Sequence, residues 1–137
     1  MWSTFTLKIH TPGRGLHDIT AAVAEKVAAS GVQTGMCFLF VPHTSASLVL
    51  NENWDPTARA DLEGAFDRLV PDGQSWFRHT LEGVDDMPAH IRAALTLPSV
   101  AIPIGEGQLM LGTWQGIYLF EHRTRPHRRR VLVWILA

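Results

Sequence analysis

The fold is decided by the stretch Thr34-Gly35-Met36-Cys37-Phe38-Leu39-Phe40-Val41-Pro42. This apolar run lacks the alternation of a surface strand, so it predicts a strand through the middle of a sheet, ended by Pro42. The chain's single cysteine, Cys37, lies within the run. A buried thiol is therefore favoured over a catalytic one, and an intramolecular disulfide is excluded.

The N-terminal side of this run adds a strand and a helix. Phe5, Leu7 and Ile9 alternate with polar residues, as in a half-buried strand. Asp18 is the expected N-cap of a helix, because apolar residues then recur at helical spacing until Gly31 supplies a stop. This pattern predicts a helix packed on a sheet.

The segment after Pro42 predicts a second strand and a second helix. Residues 45–50 form a strand that leaves in a new direction. Asp55 and Pro56 supply an N-cap and a proline at the first helical position. The buried stripe of this helix is expected at Leu62, Phe66 and Leu69.

The C-terminal half is rich in predicted strands. An irregular segment, residues 74–88, precedes a short helix over 88–95, and strands are expected at 100–104, 108–111, 112–121 and 130–136. Short hairpin loops and only three helices favour antiparallel connections. The prediction is one compact α+β domain, residues 1–137, with antiparallel β-sheets and about three helices. The apolar ending 131–136 is long for an unprotected sheet edge, which predicts a symmetric oligomer.

Composition limits the classes of partner. The chain has 137 residues, 46% hydrophobic and 18% charged, as in a globular protein. Its formal charge of −1 provides no general attraction to nucleic acid or membranes. Arginines cluster over residues 123–130, but interleaved aromatics are missing there, so nucleic acid is a disfavoured partner. With neither a signal-peptide core nor a membrane-spanning run, we expect a cytoplasmic protein without a membrane partner.

Two polar islands near the second strand are candidate site residues. His43, Thr44 and Ser45 follow the buried strand, where a rigid strand end suits a ligand. Their hydroxyls could equally satisfy the backbone of a turn. Glu52 and Asn53 precede a helix N-terminus, and either they bind a ligand or they serve the loop.

A third island lies between two histidines. His79 and His90 bracket three carboxylates, Glu82, Asp85 and Asp86. Neutral imidazole is a common metal ligand, and a carboxylate can orient it, although the spacing matches no compact zinc signature. The adjacent aspartates would repel each other unless a cation or an arginine offset them. The other histidines, His10, His17, His122 and His127, are expected at the surface.

The strand predicted at 112–121 carries the fourth island. Gly112 and Gly116 flank a polar pair, which suggests close approach of a ligand or another chain. Arg123, just beyond the strand, could grip a phosphate bidentately or form a surface pair with Glu121.

Four motifs together resemble the YjbQ family over nearly the whole chain. They are His-Thr-Ser-Ala-Ser-Leu from His43, Asn-Glu-Asn-x-Asp-Pro from Asn51, Glu-Gly-x-Asp-Asp-Met-Pro-x-His-Ile from Glu82, and Gly-Thr-Trp-Gln-Gly-Ile from Gly112. Glu121-His122-Arg123 and Arg129-Arg130 also look like the family's ending.

The resemblance implies a homotrimer with a polar pocket for a divalent metal, zinc first and magnesium as the alternative. His43, His79 and His90 would be the metal ligands. Glu52, Asp85, Asp86 and Arg123 would be catalytic, while Thr44, Ser45, Asn53, Thr113 and Gln115 would bind substrate.

Two classes of function stay open. The activity that the resemblance implies is a weak, secondary thiamine-phosphate synthase, which joins a pyrimidine pyrophosphate to a thiazole phosphate and releases pyrophosphate. This would make the protein a metal-assisted enzyme on a phosphorylated small molecule, with hydrolysis of another substrate as a variant. The alternative is a trimeric protein that binds a metal or ligand without turnover.

Overall fold

Two antiparallel sheets and three helices make up the fold, and the computed structural model describes all residues, 1–137. The strands are β1 Trp2–Thr11, β2 Gly15–Asp18, β3 Gly35–Phe40, β4 Ala46–Glu52, β5 Ser99–Gly105, β6 Gln108–Leu109, β7 Gln115–Glu121 and β8 His127–Leu136. The helices are α1 Thr20–Ser30, α2 Pro56–Leu69 and α3 Asp86–Leu95. The predicted α+β class with antiparallel sheets is confirmed.

The larger sheet has the order β1-β8-β3-β5-β6, and the smaller has β2-β7-β4. One hydrophobic core joins them, with Leu39 and Val133 from the larger sheet, Leu48 and Leu119 from the smaller, and Val23 from α1. Alternate side chains of each strand enter this core, as a half-buried sheet requires. The predicted change of direction after Pro42 is the step from the larger to the smaller sheet.

The central strand β3 has the predicted position in the sheet, but only one of its two faces is buried. β3 is the third of five strands, so its predicted position inside the sheet is confirmed, and Cys37 is fully buried. Burial raises the pKa of the Cys37 thiol to about 11. However, Phe38 and Phe40 lie on the outer face and remain exposed, because no helix covers that face in the single chain.

The oligomer argument based on an exposed edge is wrong. β8 pairs with β1 on one side and with β3 on the other, so residues 131–136 do not form an edge. Hydrophobicity indicates burial, but it does not reveal which strands become neighbours.

The helices begin and end close to their predicted positions. Gly31 ends α1 in the left-handed conformation with φ 69°, and Asp55 caps α2 by accepting a hydrogen bond from the Thr57 N–H at 2.9 Å. Leu69 was expected in a buried stripe but is exposed, since only Leu62 and Phe66 pack on the smaller sheet.

The connection after β5 agrees with the sequence prediction, whereas one strand and the start of α3 differ from it. The predicted hairpin connection is present, with Glu106 and Gly107 both at positive φ. The short strand β2 was not predicted, and α3 begins at Asp86 rather than at Pro88. None of the helices has the length and apolar character needed to span a membrane.

Candidate metal centre

The N-terminal turn of α3 and the irregular segment before it bring two histidines and a carboxylate together. Asp86 is the first residue of α3, and His90 lies one turn later on the same face. His79 reaches them from the irregular segment. Their ligand-type atoms all lie within 4.8 Å of one another.

One carboxylate oxygen forms the middle of this cluster. Asp86 Oδ2 lies 2.8 Å from His79 Nε2 and 3.2 Å from His90 Nε2. The Asp86 side chain is 6% exposed, whereas that of His79 is 52% exposed. The cluster therefore has a buried carboxylate on its inner side and an imidazole exposed to solvent on its outer side.

Neighbouring groups fix the orientation of both Asp86 and His90. Arg123 Nη1 donates to Asp86 Oδ1 at 2.9 Å, so Oδ2 is the oxygen that faces the histidines. The carbonyl oxygen of Thr44 accepts a hydrogen bond from His90 Nδ1 at 2.9 Å. In a neutral ring this bond places the hydrogen on Nδ1 and turns the lone pair of Nε2 toward Asp86.

With that neutral tautomer, the contact between His90 and Asp86 joins two lone-pair atoms. A carboxylate oxygen and an unprotonated imidazole nitrogen repel each other at 3.2 Å unless a proton or a cation lies between them. A cation shared by His79, Asp86 and His90 would turn this repulsion into attraction. The donor set thus fits a divalent metal.

Arg123 holds the acidic segment in place rather than facing solvent. Its Nε donates to Asp85 Oδ2 at 3.0 Å, and its Nη2 donates to the Glu82 carbonyl at 2.8 Å. Burial acts to raise the pKa of Asp85, but hydrogen bonds from Arg123 and Thr124 outweigh it and hold that pKa well below its ordinary value. Of the two counter-charges that the sequence left open for the adjacent aspartates, a cation or an arginine, the structure has Arg123 beside both.

This arrangement corrects the role assigned to Arg123. It is 8% exposed, and all three guanidinium nitrogens already donate to protein oxygens. It therefore does not grip a phosphate, and its contact with Glu121 is through its backbone N–H at 3.1 Å.

Comparison with known proteins identifies the family. The family model described as UPF0047 protein YjbQ-like matches residues 4–137. A UPF0047 protein of Synechocystis sp. is 54% identical over 93% of this chain and 86% of its own length. The UPF0047 protein YjbQ of Salmonella typhimurium is 44% identical over 96% of both chains. The chain belongs to the YjbQ family.

Solved structures agree with this assignment. A conserved hypothetical protein from Thermus thermophilus has a TM-score of 0.86 and 36% identity, covering 96% of this chain and 99% of its own. A structure from Sulfolobus solfataricus, described as a YbjQ-like protein of unknown function, has a TM-score of 0.87 at 29% identity, covering 100% and 99%. The YjbQ fold is thus shown over the full chain.

His43 does not join the other two histidines within the YjbQ chain. Its Nε2 accepts a hydrogen bond from the backbone N–H of Arg130 at 2.9 Å, and its ring lines a separate cavity. The third ligand-type group beside His79 and His90 is Asp86. His43 lies outside because β4 leaves for the smaller sheet directly after it, and only the carbonyl of Thr44 reaches His90.

The remaining predicted site residues, catalytic and substrate-binding, are divided between the two ends of the smaller sheet. Ala46 pairs with Glu121 at the end near the cluster of His79, Asp86 and His90, and Glu52 pairs with Gln115 at the other. Six residue steps along β4 separate these pairs by about 20 Å. Glu52, Thr113 and Gln115 therefore share a shallow groove remote from the cluster.

The residues of the remote groove make local contacts. Glu52 accepts a hydrogen bond from the Asp55 N–H at 3.2 Å, and Gln115 accepts one from the Gly112 N–H at 3.0 Å. The group that closely approaches Gly116 is the side chain of Asn53 in the same chain, rather than a ligand or another chain. A Cβ at position 116 would lie 2.5 Å from Asn53 Nδ2.

Ser45 belongs to a buried ion-pair network, so its hydroxyl already contacts a charged group of the chain. Its hydroxyl accepts a hydrogen bond from Arg129 Nη2 at 2.9 Å. Arg129 also donates to Glu121, which is fully buried and receives a further bond from Thr11 at 2.6 Å. Burial opposes ionisation of Glu121, yet these bonds lower its pKa below the ordinary value. Glu121, at the end of β7, is thus part of a buried network that stabilises the fold.

His122 was expected at the surface and is instead fully buried. Its Nε2 lies 2.8 Å from Ser47 Oγ, which in turn contacts Thr96 Oγ1, while its Nδ1 has no partner. Burial and the nearby Arg92 lower the pKa of His122 to about 3, so the ring is neutral. Its position after the apolar run 117–120 was the available signal of burial.

Proposed function

We propose that the protein is a metal-assisted enzyme that acts on a phosphorylated small molecule, with His79, Asp86 and His90 as its metal ligands. The observation that supports this most directly is the convergence of the ligand-type atoms of these three residues within 4.8 Å, with His90 Nε2 at 3.2 Å from Asp86 Oδ2. A carboxylate turned toward two imidazoles by a buried arginine is the arrangement that a bound cation stabilises.

The donor set favours zinc over magnesium. Imidazole nitrogen with one carboxylate is a common zinc environment, whereas magnesium prefers oxygen ligands in octahedral geometry. Three protein ligands leave a fourth position open, as in catalytic rather than structural zinc sites. The exposed side chain of His79 supports such an opening toward solvent.

The chemistry would suit a substrate that develops negative charge on oxygen. When bound, the cation supplies positive charge to a phosphate or another leaving oxyanion. Arg123 acts as a positioning residue that orients Asp86, and Thr44 positions His90 through its carbonyl. The specific reaction that we propose to assay, on the family resemblance, is the weak thiamine-phosphate synthase activity.

Metal analysis with histidine variants tests the metal centre. We expect elemental analysis to find one zinc per chain, and we expect His79→Ala and His90→Ala each to lower zinc affinity by about a hundredfold or more. His17→Ala is the control, because this histidine lies outside the cluster and bonds to the Gly13 carbonyl at 3.0 Å. Full zinc affinity in both cluster variants would refute the proposed ligands.

Turnover is tested separately on the same preparations. The purified protein is assayed for thiamine-phosphate formation before chelation, after chelation, and after zinc is restored. Activity that is lost and then regained with zinc supports a metal-assisted enzyme. Zinc bound at full occupancy without turnover on a substrate panel would instead support a binding protein.

A further inference from the structure

A cationic cavity lies on the outer face of the larger sheet, separate from the metal cluster. Its volume is about 580 Å³. One apolar residue lines it together with Lys8, His10, His43, Arg128, Arg129 and Arg130. No carboxylate is part of this lining.

The register of β1 and β8 concentrates the positive charge. Lys8 pairs directly with Arg130, and His10 pairs directly with Arg128. Like charges at directly opposed positions, here Lys8 and Arg130, destabilise an antiparallel pair. Among the ion pairs of the chain, Arg129 has Glu121 as its partner on the inner side, whereas Lys8, Arg128 and Arg130 have none. Three cations therefore share one cavity without a counter-charge.

His43 adds an oriented neutral donor to the wall of this cavity. β8 continues past the last residue of β3, where Phe40 pairs with Leu132, and the His43 ring accepts the exposed Arg130 N–H there. This bond to Nε2 assigns the ring hydrogen to Nδ1, which has no partner in the chain. Burial first, then Arg129 and Arg130, lower the pKa of His43 and keep the ring neutral.

We propose that this cavity binds the phosphate groups of a small molecule that carries a diphosphate or a longer polyphosphate. Arginine guanidinium groups match phosphate oxygens bidentately, and a lysine adds a point charge. The volume lies in the range of small-ligand pockets and exceeds the needs of one phosphate. The lining contains no Phe, Tyr or Trp ring on which bases could stack, so a nucleic acid strand fits it less well.

The cavity is a second site whose ligand binding does not need the metal. None of its lining residues belongs to the cluster of His79, Asp86 and His90. The two sites flank the same short segment, since His43 lines the cavity and the carbonyl of the next residue, Thr44, orients His90. The anion site can therefore be tested on protein from which metal has been removed.

Calorimetric titration with pyrophosphate tests the site on metal-free protein. We expect one saturable site per chain, and we expect Arg128→Glu and Arg130→Glu each to weaken binding by at least about tenfold. Arg125→Glu is the matched control, because it makes the same charge change on an exposed residue outside the cavity. That control should bind within about twofold of the unchanged protein.

Each remaining outcome counts against the proposal. Equal weakening by Arg125→Glu would show general charge attraction, and absence of saturable binding would show no site. Binding that appears only when zinc is restored would place pyrophosphate on the metal. If Arg128→Glu fails to fold, Arg128→Gln replaces it, because this variant removes the cation without adding an anion. Arg128→Gln should also weaken pyrophosphate binding, and unchanged binding would contradict the proposal.

Discussion

Arg123 is the residue on which we expect both the candidate metal cluster and local stability to depend. It is the buried counter-charge of Asp85 and Asp86, which are themselves buried. Removing one partner of a buried ion pair leaves an uncompensated charge and costs about 3–5 kcal/mol. We therefore expect Arg123→Ala to lower the free energy of unfolding by about that amount, measured by urea denaturation.

A matched variant shows whether this loss is specific. Arg125 is exposed and forms no ion pair in the chain, so Arg125→Ala should change stability by no more than about 0.5 kcal/mol. If Arg123→Ala were as stable as Arg125→Ala, the two aspartates would not depend on this arginine. Zinc affinity should fall in Arg123→Ala as well, since Asp86 loses the bond that orients it.

We expect the free energy of unfolding to depend on pH because of His122. Its folded-state pKa is about 3, below the ordinary 6.5, so the unfolded chain binds a proton that the folded chain does not. The stability from a neutral His122 is fully present above about pH 6.5 and is lost as pH falls toward 3. Between pH 6.5 and 5 the loss is about 2 kcal/mol.

The variant His122→Gln isolates this contribution from other groups. Arg92, Arg14 and Arg129 disfavour a charged ring, and Glu121 favours it. His43, whose pKa is also lowered, adds to the loss in the same direction in both proteins. Urea denaturation at pH 5, 6, 7 and 8 should show a smaller slope in the variant, and equal slopes would contradict a neutral buried His122.

At the scale of elements, local patterns predicted most helices and strands because each follows from nearby residues. Alternation revealed β1, capping by Asp55 revealed α2, and Gly31 marked the end of α1. The order of strands was not accessible in this way. β8 inserts between β1 and β3, and that pairing depends on contacts more than ninety residues apart in the chain.

Only the part of the candidate site that comes from one local stretch of the chain was predicted correctly. His79, Asp86 and His90 come from one stretch of chain, so their convergence needs only a loop and one helical turn. His43 and Glu52 were grouped with them by motif, but β4 carries Glu52 to the far end of the smaller sheet. A motif shows which residues occur together, whereas sheet topology decides which of them meet.

At the scale of the whole molecule, the outer face of the larger sheet has two different halves. Its apolar half is a hollow of about 240 Å³ lined only by Trp2, Phe38, Phe40, Leu132 and Trp134. Six residues along β1 separate Trp2 from the cationic cavity at Lys8, about 20 Å. Burial of the apolar half would therefore leave the cationic half open.

We expect the homotrimer that the family resemblance implies to bury this apolar half between copies of the chain. Trp2, Phe38, Phe40 and Trp134 are each between 38% and 49% exposed, and monomers rarely leave such side chains together in contact with water. A charge placed there would have to be desolvated on assembly, which strongly opposes association. We expect size-exclusion chromatography with light scattering to show a trimer, and Trp134→Glu to shift it to monomer. Trp114→Glu, on a tryptophan that is 55% exposed but lies in the remote groove, should stay trimeric. A protein that is monomeric at micromolar concentration would exclude the trimer, and a Trp134→Glu trimer would place the interface on another face.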